Sequence, residues 1–321
     1  MRQKLSEIDA IYRSKLSQWD RIAAVRAKPR RMLQLETICD ALVFPISLLP
    51  LLRTQAVKRL SPCIEDLDKK MAAQALYLYL EFTDRLELDA VNVVAQKIAR
   101  REIGFDVGEE LAFDAYKVYC DEAYHAYFSI DLKRQVVAAT GIDPLEHRLP
   151  RFLRVLRAIQ ERAAPEFRPL IELLFVVIAE TLISGNLAQI PADKCIPAAI
   201  RDLVADHLED EGRHHAFFSS FFEFLWPQLH PRIKTAVAPT LPHLILGFLE
   251  PDREAVCVEL RSYGLASREI QDAMEEAWPR ESVLKGARES ASATLSLFER
   301  NSVFTDAATL DAFHLSQLLK P

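Results

Sequence analysis

The sequence predicts an all-α fold, and three observations carry that prediction. Leu, Ala, Glu, Arg and Ile recur at helical spacing along the whole chain, and period-two alternation of β-branched residues is almost absent. Only 8 of 321 residues are Gly. Half the residues are hydrophobic and 27% are charged, the balance of a globular chain with a sizeable core. The net charge of -6, with acids and bases interspersed, offers no polybasic field and argues against nucleic acid as a partner.

Taken in order, residues 5–27 alternate charged and apolar positions as an amphipathic helix that Pro29 ends, and a second helix is expected to run to about residue 42. The stretch FPISLLPLL is an apolar connection punctuated by proline. Long helices are expected over about 64–103 and 108–140, the latter closed by the Gly141 to Pro144 turn. Between Pro150 and Pro165 a short helix, RFLRVLRAIQERAA, is expected to turn its arginines to solvent. An apolar helix around Glu180 follows and stops near Pro191. Its length approaches that of a membrane span, but Glu180 near its middle and the lack of basic flanks favour burial inside a bundle. The next helix, about 197–225, ends at the WPQLHP turn. Beyond Pro231 three or four more are expected, broken by Pro239, Pro242, Pro251, Gly264 and Pro279. No linker or low-complexity stretch interrupts 1–321, which reads as a single helical domain.

The charged N-terminus lacks the apolar core of a secretory signal. Five scattered cysteines, Cys39, Cys63, Cys120, Cys195 and Cys257, form no CxxC pair and fit a reducing cytoplasm. Cys120 reads as a small buried hydrophobe. Tyr116, Tyr119, Tyr124 and Tyr127, with Phe217, Phe218, Phe221 and Phe222, read as core packing, some of them lining a pocket.

The chemistry centres on RDLVADHLEDEGRHHAFF, residues 201–218. On a helix His207, Glu211 and His214 fall at i, i+4 and i+7, one stripe of ligand-type side chains, with His215 turned about 100° away. A second helix repeats the pattern: Asp121-Glu122-Ala123-Tyr124-His125 matches Asp210-Glu211-Gly212-Arg213-His214. Two Asp-Glu-x-x-His helices suggest the halves of a dinuclear carboxylate site in a four-helix bundle, which requires one more Glu from each of two further helices. Glu180 stands alone among Val176, Val177, Ile183, Ser184 and Leu187, where burial of a carboxylate is costly unless it is neutralised, paired or coordinated. For the remaining helix the candidates are Glu81, Asp84, Glu87 and Asp89. Glu87 shares its stripe with Leu80, Thr83, Val91, Val94 and Ile98 and is the choice. Carboxylates with a few imidazoles suit iron or manganese better than zinc. Asp121 and Asp210 are placed to accept the N–H of a histidine on the opposite helix, with Arg213 beside them. No catalytic side chain beyond these, and no organic cofactor motif, stands out.

In order and spacing the set Glu87, Glu122-x-x-His125, Glu180, His207-x-x-x-Glu211-x-x-His214 resembles the AurF family of diiron N-oxygenases, of the ferritin-like superfamily. The third imidazole, His207, separates this pattern from ordinary ferritin-like diiron proteins. The resemblance implies two iron ions, Glu87, Glu122 and His125 holding one and Glu180, His207 and His214 the other, with Glu122 and Glu211 available to bridge. It implies O2 as co-substrate, a peroxo-diferric unit, and oxidation of an amino group on an arylamine or amino-acid-derived amine, free or carrier-bound, in secondary metabolism. An external electron donor and a homodimer are implied as well. Diiron oxidation of carbon, or iron storage without catalysis, are the alternatives that His207 argues against.

Overall fold

The computed structural model describes residues 12–34, 41–182 and 189–319, and among them every regular element is a helix. Helices of seven residues or more are numbered here in chain order. Helix α1 (Leu67–Leu86) passes through a π-helical turn, Glu87–Val91, into α2 (Asn92–Ala99). Helix α3 (Glu109–Thr140) runs back along both. It opens with Glu109 and Glu110, which suit the positive end of the helix dipole, and closes at Gly141, whose φ of +66° an L side chain rarely adopts.

Helix α4 (Arg151–Arg162) leads to α5 (Arg168–Leu182), and α6 (Ala198–Gln228) completes the core. The inner ring is closed: α1 and α2 pack on α3, α3 on α6, α6 on α5 and α5 back on α2. Each interior face supplies fully buried side chains, among them Leu80, Val94, Val118, Val177, Phe217 and Phe221.

Seven more helices follow where three or four are expected: α7 (Pro231–Val237), α8 (Leu241–Leu249), α9 (Arg253–Ser262), α10 (Ser267–Ala277), α11 (Arg280–Ser290), α12 (Ser292–Arg300) and α13 (Ala307–Leu315). Some of their boundaries carry no proline or glycine; α11 gives way to α12 at Ala291 alone. Helix α8 lies against α4 and α5. Gly247 permits that approach, since a Cβ there would lie 2.7 Å from Val155 Cγ1.

Other expectations are corrected. Within 5–27 the described part is no continuous helix: residues 12–16 carry no helical turn, and two short turns follow, Trp19–Ile22 and Ala24–Ala27. Residues 28–34 and 41–42 are non-helical, while residues 35–40 of the second expected helix, with Cys39, lie outside the described residues. This segment makes long-range polar contacts that a continuous helix would withhold. Tyr12 and Ser14 donate to Asp114 at 2.7 and 2.9 Å, Trp19 Nε1 donates to Asp121 at 2.8 Å, and Ala24 N donates to Asp210 at 3.2 Å. Arg151 and Arg154 are half-buried, pairing with Glu250 and Asp252 before α9, while Arg157 and Arg162 face solvent. Phe217, Phe218, Phe221 and Phe222 are buried as expected, but Tyr116, Tyr119, Tyr127 and Cys120 are exposed on the outer face of α3.

Candidate metal centre

Seven side chains from four helical segments meet in the middle of the bundle: Glu87 at the π turn, Glu122 and His125 on α3, Glu180 on α5, and His207, Glu211 and His214 on α6. Each is 0% exposed. They are the seven the sequence singles out, and the structure brings all of them together. Ile183, Ser184 and Leu187, expected beside Glu180, lie outside the described residues. Glu81 points elsewhere, 3.7 Å from Lys133, and His215 is half-buried apart from the cluster.

One donor atom from each of Glu87, His125, His207 and Glu211 lies within 4.8 Å of the others, and the same holds for Glu122, His125, Glu211 and His214. Glu87, Glu122 and Glu180 form a third such group. Donor distances thus group His207 with Glu87, His125 and Glu211, whereas the resemblance implies a place beside Glu180 and His214. Helix geometry is the reason: His207 precedes His214 by seven residues, about 10 Å along the axis of α6, so the two imidazoles serve opposite ends of the cluster.

The polar shell crosses between helices. His125 Nε2 lies 3.1 Å from Asp210 on α6, and His214 Nε2 lies 3.1 Å from Asp121 on α3. Each ring thus commits Nε2 to an aspartate of the opposite helix and turns Nδ1 inward. His125 Nδ1 is 2.8 Å from Glu122, and His214 Nδ1 is 2.9 Å from Glu122 and 3.6 Å from Glu211. His207 is reversed. Its Nδ1 lies 3.2 Å from the Tyr79 hydroxyl, and its Nε2 is 3.0 Å from Glu211 and 3.9 Å from Glu87. Arg213 pairs with Asp210, as the sequence suggests.

Sequence reading missed Tyr79 and Trp19. Tyr79 lies two turns before Glu87 on the stripe that includes Thr83, a signal available in hindsight. Trp19 acts from 102 positions away and carries no local signal.

Electrostatics describe a site short of positive charge. Burial, reinforced by Glu122, Glu211 and Glu180, holds the Glu87 carboxyl well above its usual range. Glu180 is raised in the same way by burial and by Glu211 and Glu122. Burial also pushes on Glu122 and Glu211, but the facing imidazoles pull Glu122 below its usual value and Glu211 well below. Against their own burial, His125 is raised well above the ordinary histidine value by Asp210, Glu122 and Glu211, and His214 by Glu122 and Asp121, while burial and His125 lower His207.

These groups fit a metal pair. Both carboxyl oxygens of Glu87, Glu180 and Glu211, with His207 Nε2 and His214 Nδ1, are buried without a hydrogen-bond partner. Orphaned acceptors facing one another are unfavourable unless cations lie between them. Two groups of four donors, sharing His125 and Glu211, could hold two cations.

Outside α1, a cleft of about 340 Å³ is walled by Phe82, Phe152 and Phe248, with His147 and Glu259 among its polar groups. Tyr79 lines it too, so one phenol borders both the cleft and His207. Among the described residues no helix is long and apolar enough to cross a membrane.

An all-helical bundle with a buried carboxylate–histidine cluster able to hold metal is the class that fold and site define. The chain belongs to the P-aminobenzoate N-oxygenase AurF family, whose model matches residues 32–301. It is 25% identical over 152 residues to a 4-aminobenzoate N-oxygenase of Streptomyces thioluteus, a match spanning 46% of this chain and 45% of that protein.

Proposed function

We propose that this protein is a diiron monooxygenase that uses O2 to oxidise an amino group to a hydroxylamine, nitroso or nitro product. The observation that carries this reading is the set of seven fully buried side chains that converge in the bundle, six of which keep at least one donor atom without a hydrogen-bond partner. Glu87, His125 and His207 would hold one iron and Glu122, Glu180 and His214 the other, with Glu211 available to either. When bound, the two irons supply the electrons that activate O2.

The chain's own groups prepare that chemistry. Asp210 and Asp121 fix His125 and His214 in the tautomer that presents Nδ1. Tyr79 does the same for His207, which presents Nε2. Phe217 and Phe221 on α6, both 0% exposed, keep that side of the centre dry. The substrate's apolar body rests against Phe82, Phe152 and Phe248 in the cleft beside Tyr79. An amine reacts through its unprotonated lone pair, which favours an arylamine. Turnover would require an external electron donor, and a homodimer is the expected assembly.

Anaerobic ferrous loading is expected to give two irons per chain. Turnover on a panel of amines, read by product mass, is expected to add oxygen to nitrogen. Loading of one iron or none sinks the diiron centre, and products oxygenated only at carbon sink the N-oxygenase reading.

A further inference from the structure

The cleft beside Tyr79 lies where two apolar cores meet. Phe152 and Phe248 in its lining belong to the core of the bundle, whereas Leu51 and Val256 belong to a second, smaller core that Leu260 of α9 and Ile270 of α10 help to build. Its volume of about 340 Å³ suits a small organic molecule. A ligand that fills it touches the bundle through Tyr79 and Phe82 and the C-terminal helices through Glu259.

Four carboxylates line this cleft, and three of them already have a cation. Glu81 lies 3.7 Å from Lys133, Asp252 lies 3.0 Å from Arg154, and Glu250 pairs with Arg151. Glu259 is the exception. It is 4% exposed, accepts one side-chain hydrogen bond, from the Tyr263 hydroxyl at 3.3 Å, and has no cationic partner among the described residues. Burial accordingly pushes its carboxyl up to about 7. The two guanidinium groups in the lining leave it uncompensated, since Arg151 is committed to Glu250 and Arg148 is exposed. A buried acid with no counter-charge weakens the fold until a partner arrives. The cleft beside it is where a partner can sit.

We propose that Glu259 sets the specificity of this cleft, and that the substrate is an arylamine carrying a protonated aliphatic amino group at the end remote from the nitrogen that is oxidised. This rests on the N-oxygenase reading for the reacting end and deepens it at the other. The ring lies along Phe82, Phe152 and Phe248 with its amine toward Tyr79, and the ammonium donates to Glu259. The same carboxylate repels an arylcarboxylate such as 4-aminobenzoate.

Calorimetric titration of the full iron-loaded chain, without O2 or electron donor so that nothing turns over, compares 4-aminobenzylamine, 4-methylaniline and 4-aminobenzoate. The cation should bind about 10–100-fold more tightly than the neutral ring, the worth of a hydrogen bond to a charged group, and the benzoate more weakly than either. Glu259→Gln should erase the preference for the cation and leave the neutral ring's affinity unchanged, with helical content at the parent level. Glu81→Gln, which removes a carboxylate already paired with Lys133, should keep the preference. Equal or inverted affinities in the parent, a cation that does not bind, a preference that survives Glu259→Gln, or one that Glu81→Gln abolishes each overturns the proposal. None of these outcomes bears on the iron chemistry, which is read from iron load and product mass, and products oxygenated at carbon would leave the ammonium site at Glu259 in place.

Discussion

Glu180 shows how a single residue can weaken the metal-free fold while offering a donor to the candidate metal centre. Its two carboxyl oxygens are buried without a partner, and its nearest charged neighbours include Glu211 and Glu122. In metal-free protein the group must be held protonated or pay the desolvation of a lone carboxylate. Glu180→Leu, close in volume and apolar, is expected to stabilise the metal-free chain by about 1–3 kcal/mol and to abolish binding of the second iron. Denaturant melts of the metal-free pair, with iron content after loading, check both halves; a variant that still takes two irons removes Glu180 from the ligand set. Tyr79 acts one step further out. Tyr79→Phe keeps the ring against the cleft but releases His207 Nδ1, and iron affinity is expected to fall about 10–100-fold. Competition with a chelator of known affinity measures it, and an unchanged affinity would show that the ring is positioned by packing alone.

Among elements, the N-terminal segment contributes most beyond its size. Between Tyr12 and Ala24 it supplies donors to three buried aspartates on two core helices, Asp114, Asp121 and Asp210, two of which hold the imidazoles of the centre. Trp19→Phe removes one donor from Asp121, whose carboxyl burial already pushes up. A hydrogen bond to a charged group contributes about 1.5–3 kcal/mol, so the unfolding free energy from urea melts should fall by that amount and the midpoint with it, and iron should be lost faster from the His214 side. A midpoint that does not move would mean that His214 alone suffices for Asp121. The same segment marks the boundary of what the sequence discloses. Glu122, His125, His207, Glu211 and His214 were legible because helical periodicity decides which near neighbours share a face, and Glu180 because a lone carboxylate in an apolar helix needs a reason. Contacts spanning 102 positions leave no such trace. Neither does the π turn at Glu87, which no proline or glycine announces. Tyr116 and Tyr127 misled for a related reason: aromatic residues at helical spacing look alike whether they face their own core or the outside of the bundle.

For the molecule as a whole, the acids of the metal centre make metal-free stability depend on pH in ways that many groups share, but one distant group can be isolated. Glu259 on α9 belongs to the C-terminal helices, is 4% exposed, and receives one long hydrogen bond, 3.3 Å, from Tyr263. Burial raises its pKa from 4.5 to about 7. A folded-state value above the unfolded one means that the folded chain binds the extra proton, so stability is fully present below pH 4.5 and is lost as pH rises through about 7. The interval between those two values corresponds to about 3 kcal/mol once the group is ionised in both states. Glu259→Gln carries no charge at any pH and escapes the loss, whereas every group at the metal centre is common to both proteins and cancels in the comparison. At pH 5 the two should melt together, with the variant slightly lower if the amide makes a poorer bond to Tyr263. Above pH 8 the variant should melt higher, by on the order of 5 °C for a chain of this size. Thermal unfolding of both metal-free proteins between pH 5 and 8.5, at constant ionic strength, tests this. Parallel curves would mean that Glu259 ionises without cost, because water from the adjoining cleft reaches it.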